Sequence, residues 1–320
     1  MTVSSHIALT GNTTALLGRA SRNSDRVILP INDSALARDA QSPAFYCVHS
    51  ASGVAGTDFL ALAQRLEPSI RFYGIQAPPK QMLDAQFGSS VESLADYYAE
   101  ALVKFQPKGP IVLGGYCVGA IIALEMADNL RARGREVGPL IVIDGVPENT
   151  GVTLRWTLRN WGDLARNLRG WLVHGDLMRN RTLRSLVRSL TNNAYALAKA
   201  AIGLKRGEKL GGGYSIEGMM DLSPYQPPHR LFIDRLFTAL FAYVPRAYSG
   251  SIVVYEAKIT PLLHLPQIGR TWSHFTPQAE VVDIVGTHIG MMREPYVDAV
   301  AEDIRQRIAE FFANARSRVD

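Results

Sequence analysis

The chain is 320 residues long, 47% hydrophobic, and carries a formal net charge of +5 at neutral pH. That length allows one large or two small domains with a sizeable core, and so modest a charge does not by itself argue for nucleic acid. Two cysteines, Cys47 and Cys117, exclude a disulfide scaffold and fit no zinc spacing. With no basic-then-apolar leader and no apolar run near the ~20 residues a bilayer span needs, the expectation is a cytoplasmic enzyme.

Residues 1–40 are rich in Ser, Thr, Asn and Ala with weak periodicity. They read as a flexible arm or linker holding at most one strand, at 27–29. From residue 44 the pattern sharpens. Phe45-Tyr46-Cys47-Val48 reads as a buried strand, followed by a loop with Gly53 and Gly56 and by helical spacing over 59–66. Phe72-Tyr73-Gly74-Ile75 is a second strand. Residues 91–105 form an amphipathic helix with Leu94, Tyr97, Tyr98, Ala101, Leu102 and Phe105 on one side. Ile111-Val112-Leu113 is a strand, and a helix with Ala120, Ala123, Leu124, Ala127 and Leu130 on one face follows, stopping at Gly134 as a glycine just past a helix end would make it. Leu140-Ile141-Val142-Ile143 is the next strand, ending at Asp144-Gly145.

Alternation then breaks. Residues 148–247 are mostly helical in pattern, with Gly211-Gly212-Gly213 as an internal loop or hinge. Strands resume at 252–255 and 281–285, and a last helix covers about 296–313. The expected architecture is α/β: a mostly parallel central sheet with helices on both faces, its core made of 41–147 and 248–320, interrupted by a helical cap over 148–247.

The most informative element is Gly115-Tyr116-Cys117-Val118-Gly119, between a strand and a helix. A Gly-x-nucleophile-x-Gly segment in that setting is a nucleophile elbow: a turn so tight that small residues must flank it, lifting the central side chain clear above a helix N-terminus. Such a thiol needs a base, and the base needs an orienting acid. His288 is the candidate base, because it follows a strand directly in Val285-Gly286-Thr287-His288 and comes late in the chain. His6, His174, His229, His264 and His274 have no comparable placement. The acid is assigned to Asp144, one helix and one strand beyond Cys117, with Glu256 in reserve and an ordinary strand-end turn residue as the plainer alternative for Asp144. An oxyanion hole requires two N–H groups. The Val118 N–H supplies one, and the loop His49-Ser50-Ala51-Ser52-Gly53 the other, with Ala51 preferred and Ser52 as second choice. His49 is expected to shape that loop by hydrogen bonding, and Cys47 to be a buried core residue.

On these residues the chain resembles the releasing thioesterase domains of nonribosomal peptide and polyketide synthases, within the α/β-hydrolase superfamily. The stretches that carry the resemblance are residues 45–53, Tyr73-Gly74-Ile75-Gln76-Ala77-Pro78, residues 114–119, Ile143-Asp144-Gly145, Trp272, and Gly286-Thr287-His288 with Met291, Met292, Glu294 and Pro295 behind it. Together they span about 44–312. The resemblance implies an acyl-enzyme mechanism, no cofactor of the enzyme's own, and an acyl or peptidyl carrier protein as partner, its phosphopantetheine arm delivering the substrate thioester. It also places the acid after the strand beside the elbow, as Asp144 is. The chain departs from that family in a Cys where Ser is usual, in Ser50 and Ser52 where Pro and Gly are usual, and in a long cap.

Cysteine changes the energetics. Moving an acyl group from a carrier thioester to Ser makes an oxygen ester, which is downhill; moving it to Cys exchanges one thioester for another and keeps the group reactive. That favours transfer between carriers or cyclisation over cleavage without excluding hydrolysis. A small-molecule esterase or lactonase is the rival within enzymes, and a non-catalytic binding module the rival outside them. Residues 151–213 hold twelve Lys or Arg against three acidic residues. Such a segment either steers an acidic carrier and its phosphate or merely solvates outer helix faces. Trp156, Trp161, Trp171, Phe232, Phe237 and Phe241 either line an acyl pocket or tie the cap to the body.

Overall fold

The computed structural model describes residues 26–33, 42–147, 222, 225–259 and 272–317. Much of the stretch assigned to the cap, including Trp156, Trp161, Trp171, the basic segment 151–213 and Gly211-Gly212-Gly213, lies outside the described residues, as do His6, His174 and His264.

Seven strands form one sheet: β1 (Ile28–Pro30), β2 (Ala44–Val48), β3 (Arg71–Ile75), β4 (Val112–Tyr116), β5 (Leu140–Ile143), β6 (Ile252–Ile259) and β7 (Ala279–Thr287), in the spatial order β1-β3-β2-β4-β5-β6-β7. All neighbours are parallel except β1, which runs antiparallel to β3 with Ile28 opposite Ile75. The helices are α1 (Leu60–Leu66), α2 (Pro79–Met82), α3 (Val91–Phe105), α4 (Gly119–Ala132), α5 (Pro227–Ala242) and α6 (Val297–Arg316).

Period-2 alternation explains the layers. Tyr46, Val48, Leu113, Leu140, Val142, Ile252 and Val254 face one core with α3, α4 and Phe232 of α5. Phe45, Cys47, Val112, Ile141, Ile143, Val253 and Tyr255 face the other with α1 and α6. Strands buried on both faces read as continuous apolar runs, which is why the sequence showed them so clearly. Cys47 is fully buried, as expected.

Local signals set the helix ends. Ser90 caps α3 by accepting from the Ser93 N–H. At the end of α4 the Gly134 N–H donates to the Arg131 carbonyl and the Arg135 N–H to the Leu130 carbonyl. With Gly134 at φ 75°, this is a Schellman termination.

The one strand expected within residues 1–40, at 27–29, is present as β1, shifted by one residue. Residues 26–33 are docked: Ile28 and Leu29 are buried in β1. Asn32 donates to the carbonyls of Ala63 and Ile70 and accepts from the Phe72 N–H. One short strand in a polar stretch has too little periodicity to show that it will close a sheet edge. Two short elements went unread, α2 and a 3₁₀ turn at Gly290–Met292, both too brief for a helical period.

The strand order reverses between β2 and β4. β2 leads outward to β3, whereas β4 leads to β5, so the connections leave to opposite sides at the carboxyl ends. The loop after β2 and the turn after β4 meet there.

Candidate active site

Cys117 leaves the end of β4 with φ 58°, in the left-handed region, and its N–H donates to the Ile143 carbonyl at 2.9 Å. A non-glycine residue held there costs about 1–3 kcal/mol, which persists only where the surroundings impose it. They do so through contact. A Cβ on Gly115 would lie 2.2 Å from the Gly119 carbonyl oxygen, and one on Gly119 would lie 2.3 Å from the His49 carbonyl oxygen and 2.5 Å from that of Val48. On the far side, a Cβ on Gly145 would lie 2.4 Å from the Cys117 carbonyl oxygen. Glycine at these sites lets the strand end, the helix start and the loop after β2 close on one another. Gly119→Ala is therefore expected to lower stability by at least about 1–3 kcal/mol, since backbone rather than a movable side chain blocks the methyl group. A urea midpoint equal to wild type would refute this.

Asp144 leaves the neighbouring strand β5 with φ 46°, and its N–H donates to the Tyr255 carbonyl. The carboxylate is buried and both oxygens are used. Oδ1 accepts from the Ala257 N–H at 2.9 Å, and Oδ2 accepts from Nδ1–H of His288 at 2.6 Å. Glu256, the reserve acid, lies on β6, the strand between those that carry Asp144 and His288; that strand contributes the Ala257 backbone N–H to Asp144.

His288 follows β7 and its side chain is one-third exposed. Burial by itself would lower its pKa. The Cys117 thiolate, hydrogen bonds with Asp144 and Cys117, and the Asp144 charge overcome that and hold it well above the usual histidine range. The imidazole thus stands beside the Cys117 thiol at the N-terminus of α4.

Tyr116, the residue before Cys117, stacks on His288 with ring centroids 4.8 Å apart and planes 20° from parallel, and its hydroxyl donates to the His288 carbonyl at 2.9 Å. These two contacts hold the imidazole and its backbone, and nothing in the sequence pattern distinguishes Tyr116 from any other residue at a variable elbow position. Trp272, fully buried, donates from Nε1 to the Gly145 carbonyl at 2.6 Å and so pins the turn behind Asp144.

Val118 is the N-cap of α4 at the elbow, and Ala51 is buried in the loop after β2 that touches Gly119. Among the described residues no backbone carbonyl accepts from the N–H of either. His49 lies beneath that loop. Its Nδ1–H donates to the Ser50 carbonyl at 2.5 Å, so its Nε2 accepts from the Tyr98 hydroxyl at 2.7 Å. Burial lowers its pKa to about 4, against the opposing effect of the Ser50 bond, and the neutral ring shapes the loop. His229 sits on α5 with its pKa lowered by burial, and His274 lies in the turn after Trp272. Phe232 of α5 packs on His49 with centroids 5.8 Å apart and on Phe87, which ties that helix to the body, whereas Phe237 and Phe241 pack on each other. Among the described residues no helix is long and apolar enough to cross a membrane.

The chain is similar to known proteins. Enterobactin synthase component F of Escherichia coli (strain K12) is 32% identical over 130 residues, which are 41% of this chain and 9% of that protein. Chondramide synthase cmdD of Chondromyces crocatus is 30% identical over 302 residues, 92% of this chain and 7% of that protein. The chain thus spans less than a tenth of the length of these curated relatives. The NocB thioesterase domain, solved in covalent complex with a fluorophosphonate nocardicin G analogue, superposes with a TM-score of 0.52 at 21% identity, covering 88% of this chain and 98% of that one. A four-domain nonribosomal peptide synthetase bound to AMP and glycine superposes with a TM-score of 0.56 at 22% identity, covering 91% of this chain and 21% of that one. At these identities the likeness establishes the α/β-hydrolase fold. The model of the thioesterase domain matches residues 43–308, from the first parallel strand into the last helix, and the chain belongs to that family.

Proposed function

We propose that the protein takes an acyl, peptidyl or aminoacyl group from the phosphopantetheine thioester of a carrier protein onto Cys117 and then transfers it to a second carrier thiol, cyclises it or releases it. The observation that carries this reading is the hydrogen-bonded Asp144–His288 pair set against a thiol held at φ 58° on a strand–helix elbow. Membership of the thioesterase domain family supports thioester chemistry, and relatives named as peptide and polyketide synthases support a carrier as the donor.

In the proposed cycle the Cys117 thiolate attacks the thioester carbonyl carbon. The carbonyl oxygen gains the negative charge and is met by the N–H groups of Val118 and Ala51. As the tetrahedral intermediate collapses, the carbon–sulfur bond to pantetheine breaks and the His288 imidazolium gives its Nε2 proton to the departing sulfur. The neutral imidazole then takes the proton of the incoming thiol, hydroxyl, amine or water, which displaces Cys117. Asp144 keeps the Nδ1 proton in place throughout. The enzyme contributes no cofactor; the pantetheine arm belongs to the partner.

Cysteine favours transfer among these outcomes, because the acyl-enzyme remains a thioester and a second carrier thiol recovers it at little cost. The experiment is to incubate the protein with an acyl-loaded carrier and a second, unloaded carrier, and to follow all three by intact mass. The expected result is a transient acyl adduct on the enzyme followed by acyl on the second carrier. Free acid alone, with the second carrier unloaded, would leave hydrolytic release. Equal rates with a small-thiol thioester and with the carrier would replace the carrier reading with that of a small-molecule esterase.

A further inference from the structure

Asp58 plays no part in the cycle above, yet it borders both halves of the site. It lies half-buried beyond the loop that follows β2. Its Oδ2 accepts from the Ser50 N–H at 3.3 Å. The Ser50 Oγ in turn accepts from the Ser52 N–H at 3.4 Å and lies 3.2 Å from the Ser52 Oγ. The Ser52 hydroxyl donates to the Val54 carbonyl at 3.3 Å and accepts from the Val54 N–H at 3.1 Å. This chain of bonds brackets Ala51 on both sides and ends at one carboxylate. The two serines are the positions at which the loop departs from the resembled family, so the network belongs to this chain's own sequence.

The His288 charge acts on the Asp58 carboxyl, and the other titratable groups coupled to Asp58 are Cys47 on β2, Tyr116 at the end of β4, and Tyr225 ahead of α5. None of those three is a cation, so the imidazolium is the one positive group in that set. Burial pushes the Asp58 carboxyl up, while the Ser50 hydrogen bonds and the His288 charge oppose it.

We propose that Asp58 is a positioning residue for acyl transfer: through Ser50 it holds the loop that presents the Ala51 N–H. The inference rests on the proposed role of Ala51. It predicts that the loop needs a hydrogen-bond acceptor at this position rather than a charge. Asp58→Asn keeps an oxygen for the Ser50 N–H but loses the charge; Asp58→Ala loses both.

The test on the full chain is the rate of Cys117 acylation by a short-chain acyl N-acetylcysteamine thioester, followed by intact mass. In Asp58→Asn acylation is expected within about fivefold of wild type, because the amide oxygen still accepts from the Ser50 N–H. In Asp58→Ala a loss of about 10- to 100-fold is expected, as an unanchored oxyanion donor would give. Wild-type acylation by Asp58→Ala overturns the proposal, as does a loss in Asp58→Asn as large as that in Asp58→Ala. Should the alanine variant fail to fold, the asparagine variant decides: acylation within about fivefold of wild type supports the anchor, and a larger loss overturns it. If wild-type Cys117 acylates while both variants match it, only the role of Asp58 falls. If wild-type Cys117 never acylates, the parent reading falls and Asp58 with it.

Discussion

Cys117→Ala is expected to form no acyl-enzyme and to lose at least about a thousandfold in turnover of a carrier-bound thioester, the order of loss seen when a covalent nucleophile is removed and only binding and oxyanion donors remain. The fold should tolerate the change. Alanine keeps the Cβ that already occupies the left-handed position at φ 58°, so no new strain appears. Only the sulfur, half-buried at the elbow, is lost. His288 should respond, because the thiolate is the largest of the influences that raise it. With the thiolate gone, the imidazole midpoint moves down. Intact mass after exposure to acyl-loaded carrier measures the first effect, and imidazole NMR the second. An acyl adduct retained by the alanine variant would remove Cys117 from the mechanism. Cys117→Ser gives a further reading: an oxygen ester is a more stable resting point than a thioester, so acyl should accumulate on the serine and pass to a second carrier more slowly than in wild type.

The site was legible where chemistry coincides with a chain-local pattern. Cys117 is marked by glycines at two fixed offsets and by the change from strand to helix period, and the close contacts around Gly115 and Gly119 show why no side chain fits there. Asp144 and His288 are marked by strand ends, and parallel strands in one sheet deliver their carboxyl ends to a common edge, so the two meet although 144 residues separate them. The rest depends on proximity that no local pattern encodes. The Ala257 N–H under Asp144 requires β6 to lie between β5 and β7 in a particular register. The stacking of Tyr116 on His288 requires the ring to leave the strand end toward a loop 172 residues away. The docking of β1 likewise rests on Asn32 meeting carbonyls from two later elements. In sequence, each of these residues looks like many others of its type.

Strain and satisfaction also converge on the same residues. Cys117 and Asp144 are the non-glycine positions at positive φ among the described residues, and they end adjacent strands. A local rule broken twice at one sheet edge, with every surrounding contact fitted to it, is the pattern expected of a site rather than of a scaffold. Tyr116, Trp272 and the Ala257 N–H each bind a group at that edge, so the imidazole and carboxylate are held together by the fold itself.

Asp144→Asn is expected to cost about a hundred- to ten-thousandfold in kcat/KM, or about 2.7–5.4 kcal/mol of transition-state stabilisation. The reason is geometric before it is electrostatic. Both carboxylate oxygens accept from N–H donors, one from Ala257 and one from His288. An asparagine has one oxygen. If it stays on the Ala257 N–H, the amide NH2 faces Nδ1 and forces that nitrogen to accept, which puts the imidazole proton on Nε2 and leaves no acceptor for the thiol or the incoming nucleophile. If it turns to His288, the buried Ala257 N–H is left without a partner. The charge is lost in either case. Asp144 contributes both a hydrogen bond and a charge to the raised His288 pKa, so the midpoint falls in the variant. The stability sign follows. A histidine raised in the folded state contributes stability that is full below its unfolded value near 6.5 and is lost as pH rises through its folded value. The His288 share of the difference between wild type and variant should therefore be largest below pH 6.5 and shrink through the alkaline range, which urea unfolding at pH 6 and pH 10 measures. Activity within threefold of wild type, with an unmoved His288 titration, would mean that Asp144 neither orients nor charges the imidazole, and the triad would reduce to Cys117 and His288 alone.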